Sequence, residues 1–224
     1  MNKITGDSFK KALFWLLLPV VWMYANLVLG WRVTWEGKLP KGPKILVANH
    51  PSTIDPFIVA LLARRPTRIL IKGHIFHTPL FGFYLRKAGH IPVIPGQGKE
   101  AFEAARQLLE AGHTIMLFPE GCLSPREGGF QNTHTGAARL ALLSGAPVIP
   151  IGIDLNRNRL KEVPSKFNGE ESLGLFALGG HYCLTVGQPM QFTGSLDDHE
   201  YVVSVAEAIM QRIILLSQQS SMQS

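Results

Sequence analysis

Near its start the chain has one long run without charge. Residues 12–31, ALFWLLLPVVWMYANLVLGW, carry no charge, and about twenty such residues suffice to cross a bilayer as a helix. Lys10 and Lys11 precede the run and Arg32 ends it, while Trp15, Trp22, Tyr24 and Trp31 are residue types that favour the headgroup level. Pro19 lacks an N–H and kinks a helix, and Asn26 is a poor lipid-facing group. The positive flank, with Lys3, would hold the N-terminus in the cytoplasm, and a true span would then carry the rest of the chain outside. The expectation is a kinked or re-entrant helix lying in the cytoplasmic leaflet. A long core helix and a secretory signal are the alternatives; no small-x-small cleavage site follows the run, which disfavours the signal.

Beyond residue 35 the pattern breaks into short pieces. Apolar runs at 44–48, 68–72, 91–94, 114–118, 147–153 and 182–186 read as strands. Between them, 56–63, 99–111 and 135–143 read as helices. The second places Phe102, Ala105, Leu108 and Leu109 on one face, with Gly112 as its stop; the third ends at Gly145. Residues 156–180 have weak periodicity and read as an irregular excursion. A last amphipathic helix is expected to start at Ser195, with Asp198 as a box-like cap and Val202, Val205, Ile209, Ile213 and Leu216 on its face. Strands alternating with helices predict an α/β sandwich around a largely parallel, mixed central sheet flanked by helices. The expected division is a membrane-associated helical segment at 1–35, one domain at 36–216 and a frayed tail at 217–224.

Composition narrows the class. The 224 residues are 46% hydrophobic and only 17% charged, which excludes a disordered tail and a highly charged coiled coil. Two cysteines, Cys122 and Cys183, form no disulfide framework and fit a reducing compartment. Twenty-two Lys and Arg against 16 Asp and Glu give a formal charge of +6. No nucleic-acid motif accompanies it, so nucleic acid is not expected as a partner; an anionic membrane surface or a phosphorylated co-substrate explains the charge. The glycine-rich nucleotide fingerprints are absent.

Chemistry gathers at two strand ends. Asn49-His50-Pro51-Ser52-Thr53-Ile54-Asp55 follows a buried strand and opens a helix, the place where ligands sit in open α/β sheets. His50 is a base near neutral pH, and Asp55 would accept its Nδ1–H, fix the tautomer and leave Nε2 free for a proton. Equally, Asp55-Pro56 makes a good helix N-cap followed by proline, and Ser52 or Thr53 would serve as caps too. The second cluster is Phe118-Pro119-Glu120-Gly121. Its carboxylate would bond a polyol's hydroxyls or pair with Arg126 or Arg139, and its glycine permits close approach. Cys122 is a conceivable thiol nucleophile, but nothing in the sequence depresses its pKa. No G-x-S-x-G elbow supports a serine hydrolase. His74, His77, His90, His113 and His134 are scattered without a metal-ligand spacing, so no metal is expected.

At these clusters the chain resembles the glycerophospholipid acyltransferase family, the bacterial lysophosphatidic acid acyltransferases in particular. The family's N-H-x-x-x-x-D motif stands as Asn49, His50 and Asp55, its F-P-E-G as Phe118 to Gly121, and its V-I-P stretch within residues 146–151. A looser second motif runs through Lys72, Pro79, Gly82 and Gly89. Pro95, Leu123 and His134 stand where the family commonly has cations, a difference that bears on the acceptor's phosphate. The resemblance implies an O-acyltransferase moving a fatty acyl group from acyl-CoA or acyl carrier protein to the hydroxyl of a lysoglycerolipid. The acceptor implied first is 1-acyl-sn-glycerol-3-phosphate, giving phosphatidic acid on the cytoplasmic face of the inner or plasma membrane. A non-phosphate or other lysolipid acceptor, a non-catalytic membrane-binding module and a hydrolase are the alternatives. His50 would be the general base and Asp55 its orienter. Glu120, Gly121, Lys72 and Arg126 would position the acceptor. Asn49, Ser52, Thr53 and the backbone of their turn would support the oxyanion. No metal or tightly held cofactor is implied.

Overall fold

The computed structural model describes residues 3–63, 65–167 and 170–223, with side chains from residue 14 on except those of residues 167 and 170. The side chains of Lys3, Lys10 and Lys11, invoked above as the positive flank, lie outside this description. In chain order the elements begin with α1 (Lys3–Leu27), β1 (Arg32–Trp35), β2 (Lys44–Ala48), α2 (Asp55–Ala63) and β3 (Thr67–Lys72). A short 3-10 turn (Gly73–His77) leads to α3 (Phe81–Ala88), β4 (Ile91–Val93), α4 (Gly98–Glu110) and β5 (Thr114–Leu117). Then come α5 (Gly136–Ser144), β6 (Val148–Leu155), β7 (Leu160–Phe167), β8 (Glu170–Ala177), β9 (Tyr182–Val186) and α6 (His199–Ser221).

Seven strands form one sheet in the order β1-β9-β6-β2-β5-β3-β4. From β6 to β4 all neighbours are parallel; β9 runs antiparallel to β6, and β1 parallel to β9. The expected mixed, largely parallel sheet is therefore present. Every residue of β2 is buried, because helices cover both faces, which is why its sequence reads as an unbroken apolar run rather than an alternation. Successive side chains point to opposite faces. Ile45 and Val47 join a core with Ala105, Leu109, Ala141, Ile209 and Ile213. Leu46 and Ala48 join the other with Ala25, Leu29, Ile58, Val59 and Leu62. Since β2 and β5 are adjacent and parallel, with Val47 opposite Leu117, the segments that follow them leave the sheet side by side.

Three expectations change. Residues 156–180 are not irregular: β7 and β8 pair antiparallel as a two-stranded hairpin, Leu160 opposite Ala177 through Phe167 opposite Glu170. The last helix begins at His199, where the Asp198 carboxylate accepts from the Tyr201 N–H at 2.9 Å. Ser195 lies outside it and accepts from the Asp197 N–H. The tail does not fray at Ser217, because α6 continues to Ser221 with Ser217 and Ser220 buried. Ser217 Oγ donates to Ile153 O and Ser220 Oγ to Gly152 O. A Cβ on Gly152 would meet the Ser217 nitrogen at 2.0 Å, so the glycine is what lets this helix lie on β6. Among the described residues no helix is long and apolar enough to cross a membrane. α1 contains Pro19 and uses one side, with Val21, Tyr24 and Ala25, as part of the core.

A buried histidine makes stability depend on pH. His90 accepts the Ile69 N–H on Nδ1 at 3.2 Å. Burial, with the Arg68 guanidinium nearby, lowers its pKa from 6.5 to about 4. As pH falls, the unfolded chain therefore binds this proton first. The contribution to stability is whole above pH 6.5 and is lost between there and about pH 4, on the order of 3 kcal/mol. His90→Asn, which keeps an acceptor for Ile69, should flatten that part of the pH dependence in urea unfolding; an unchanged slope would show that His90 protonates freely.

Candidate active site

His50 is the first residue of functional interest after β2, and three separate segments fix it. Its Nδ1 lies 2.9 Å from Asp55 Oδ2. The same oxygen accepts the Ser52 N–H at 2.8 Å, and Asp55 Oδ1 accepts the hydroxyl of Tyr182 from β9. Asp55 is wholly buried. Burial, and then the adjacent carboxylate, raise the Tyr182 pKa well above its usual value, so the phenol is a neutral donor. A carboxylate that already receives two donors acts as acceptor towards the imidazole as well. Nδ1 therefore carries the proton and Nε2 the free lone pair. The carboxylate's partners are these three groups rather than the N–H groups of the first turn of α2, so it serves the imidazole instead of capping the helix.

The segment after β5 closes around the same histidine. The Phe118 ring stacks on the His50 ring, centroids 4.0 Å apart and planes 15° from parallel. The His50 N–H is shared between Glu120 Oε1 at 3.0 Å and Ser124 Oγ at 3.1 Å, while its carbonyl accepts the Ser124 N–H at 2.8 Å. Ser124 Oγ donates to Glu120 Oε1 at 2.6 Å, and the Gln131 N–H to Glu120 Oε2 at 2.7 Å. Glu120 is 1% exposed. The carboxylate expected to meet an acceptor's hydroxyls is thus enclosed, with both oxygens engaged in tying two loops together. Gly121 has φ +66°, and a Cβ there would meet His134 Cδ2 at 2.8 Å. The close approach it permits is that of the His134 ring.

The remaining expected residues divide in the same way. Asn49 donates to Ile153 O at 2.8 Å and accepts from Ile153 N at 2.7 Å, continuing the β2–β6 ladder with a side-chain amide. Ser52 Oγ donates to Leu175 O, and Thr53 exchanges hydrogen bonds with Leu175 through its N–H and its hydroxyl. The His50, Ser52, Thr53 and Asp55 N–H groups are all engaged within the protein. These residues hold the shape of the turn, and these four of its N–H groups are already occupied. Lys72 ends β3 exposed, and Arg126 pairs with Glu162 of β7 at 3.1 Å. Among the described residues neither makes a hydrogen bond or ion pair with His50, Asp55 or Glu120. No group of three His, Cys, Asp or Glu side chains that would hold a metal ion occurs among them either.

Tyr182 and Ser124 were missed by sequence reasoning, and Phe118 was noted only as part of its motif, without its stacking on His50. Tyr182 gives one faint signal, as a phenol inside the apolar strand YCLTV: a buried hydroxyl needs a partner. Cys122 is exposed, its thiol 3.5 Å from Glu120 O. Cys122→Ala is expected to keep the native protein's activity within about twofold, as for an exposed side chain without a partner of its own in the His50–Asp55 pair. Loss of activity together with a trapped acyl thioester on the native enzyme would instead make it a nucleophile.

Known proteins resemble this chain in sequence and in fold. The acyltransferase family model matches residues 31–154. A lyso-ornithine lipid O-acyltransferase of Pseudomonas aeruginosa is 30% identical over 156 residues, 68% of this chain and 59% of that protein. A 1-acyl-sn-glycerol-3-phosphate acyltransferase of Limnanthes douglasii is 31% identical over 155 residues, 61% of this chain and 55% of that one. The chain thus spans less than two thirds of the length of either relative. In fold, the chain is similar to the crystal structure of the 1-acyl-sn-glycerophosphate acyltransferase PlsC of Thermotoga maritima. The TM-score is 0.58 at 21% identity, over 94% of this chain and 97% of that one.

Proposed function

Because the chain belongs to the acyltransferase family, we propose that it transfers a fatty acyl group from an acyl thioester to the free hydroxyl of a lysolipid. His50 acts as general base and Asp55 as its orienter. One observation carries this reading: an imidazole held by a buried carboxylate in the loop at the carboxyl end of a central parallel strand. Nε2 removes the acceptor's hydroxyl proton as the oxygen attacks the thioester carbonyl. Asp55 stabilises the imidazolium that forms. When the tetrahedral intermediate collapses, the C–S bond breaks and the departing thiolate takes the proton back from Nε2. The products are an ester and a free thiol, and the histidine is regenerated without a covalent acyl-enzyme. Acyl-CoA and acyl carrier protein both supply this thioester, and no step requires a metal.

The reaction belongs at a membrane surface. α1 turns Trp15, Leu16, Val20, Trp22, Met23 and Leu27 outward, an apolar face suited to lying in the interface of the cytoplasmic leaflet rather than crossing it. For the acceptor, 1-acyl-sn-glycerol-3-phosphate is the first reading, in line with the names of several relatives. The Arg126–Glu162 pair favours a second: one of the expected phosphate-binding cations is already neutralised, as suits an acceptor without phosphate. The test is membrane-reconstituted protein with labelled acyl-CoA or acyl carrier protein and a panel of lysolipids, beside His50→Ala. Phosphatidic acid made only by the native protein supports the first acceptor, and a different acylated lipid the second. Free fatty acid in place of any ester would make the protein a hydrolase.

A further inference from the structure

We propose that the tip of residues 79–83, where the chain enters α3, is a second membrane anchor that dips into an anionic phospholipid surface beside α1. This rests on the membrane reading above and extends it to an element that was not part of it. Leu80 has φ +58° and ψ −54°, and the Phe81 N–H donates to Pro79 O at 2.5 Å. That is a γ-turn with positive φ, a strained conformation for a side chain branched at Cγ. Leu80 is the one non-glycine residue with positive φ among those described, and it is 87% exposed. Strain and an exposed large apolar group thus coincide at one residue, which packing inside the fold does not explain.

The neighbours continue the pattern. Phe83 is 55% exposed. Residues 80, 83 and 87 share one face of the helix by their spacing, and Lys87 Nζ sits 5.4 Å from the Phe83 ring centroid. The opposite side turns towards the protein: Leu85 and Ala88 are buried, and the Phe81 ring, itself partly exposed, has its centroid 6.2 Å from that of Phe57 of α2. α3 also packs on α1, so the tip is continuous with the helix whose outer face is apolar. From Leu80 to Lys87 the helix rises about 10 Å. A leucine in the acyl region would therefore place Lys87 among the headgroups, where long basic side chains settle.

Charge selects the lipid. Residues 1–99 contain 14 Lys and Arg against three Asp and Glu, whereas residues 100–224 contain eight against 13. No acidic residue occurs between Pro56 and Lys99. The half of the chain that carries both apolar elements is thus strongly cationic, complementary to an anionic leaflet. An acidic carrier protein or a second copy of the chain would need a different outcome in the experiment below.

The test uses the full chain with phosphatidylcholine vesicles, with and without phosphatidylglycerol. Glycine suits φ +58°, so Leu80→Gly removes the apolar tip while relaxing the backbone. Its melting temperature should equal or exceed the native one while vesicle affinity falls several-fold. Leu80→Gly with Phe83→Ser should lower affinity about tenfold or more, as expected for losing two inserted apolar side chains. Omitting phosphatidylglycerol should weaken the native protein as well. Native affinity in the double variant, with Trp15→Ser/Trp22→Ser impaired, would overturn the anchor and leave membrane docking through α1 intact. A native protein that binds neither vesicle would overturn both. The anchor also fails if Leu80→Gly melts lower, or if the variants alter only self-association or carrier-protein binding.

Discussion

His50→Ala is expected to lower acyl transfer by about 10²–10⁴-fold, the range that a positioned general base contributes. Only the lone pair on Nε2 is available for the substrate proton, since Nδ1 is committed to Asp55. The backbone of His50 is held independently of its ring, through Glu120 and Ser124. The loop should therefore keep its shape, at a cost of about 1–3 kcal/mol for the lost ring and its hydrogen bond to a buried carboxylate. His50→Asn separates chemistry from folding: a side-chain amide can still donate to Asp55 but cannot accept a proton. It should lose as much activity as the alanine variant while recovering much of the stability. Transfer at the native rate by either folded variant would exclude His50 as the base.

Asp55→Asn should cost about as much, on the order of 10²–10⁴-fold, because both outcomes open to the amide damage the base. Three donors converge on Asp55, two on Oδ2 and one on Oδ1. If the amide oxygen replaces Oδ2, the imidazole keeps its orientation but loses the negative charge that stabilises its protonated form. If the NH₂ group takes that place, it confronts Nδ1–H and the Ser52 N–H, and the tautomer with the proton on Nε2 becomes preferred. In the first arrangement the Tyr182 hydroxyl can turn to accept from the NH₂ group, so the fold should survive. Calorimetry beside the kinetics checks this. Native turnover would reduce Asp55 to a structural residue of the turn.

These two residues were legible before any fold was known, and the reason is local. The proposed base and its carboxylate are five residues apart on one turn, and a helix start forces such a turn into a small space. The alternation of short apolar runs with helical periods likewise predicted the sheet, because parallel strands covered on both faces are apolar throughout, as 44–48 shows. The hairpin at 160–177 escaped because its first strand carries Lys and Glu without an apolar alternation, and only Leu173, Leu175 and Ala177 of the second alternate. The strand at 32–35 and the helix at 81–88 are short, at four and eight residues, and were absorbed into neighbouring segments. The end of α6 was misread because serines look like a frayed tail. Their role as short side chains lying close against Gly152 appears only once helix and strand are packed.

The local sequence, then, determined the pairing of His50 with Asp55 and the kind of fold that presents it, since each depends on spacing along the chain. Tertiary structure alone decided what surrounds them. It brought Tyr182 onto a carboxylate 127 residues away and laid Phe118 on the imidazole. It turned Glu120 inward to three donors and paired Arg126 with Glu162. Such partners are chosen by distance and burial after the strands assemble, because buried polar groups bond whatever donor or acceptor the fold brings within reach. A linear pattern supplies the residue types but not which pairs will meet.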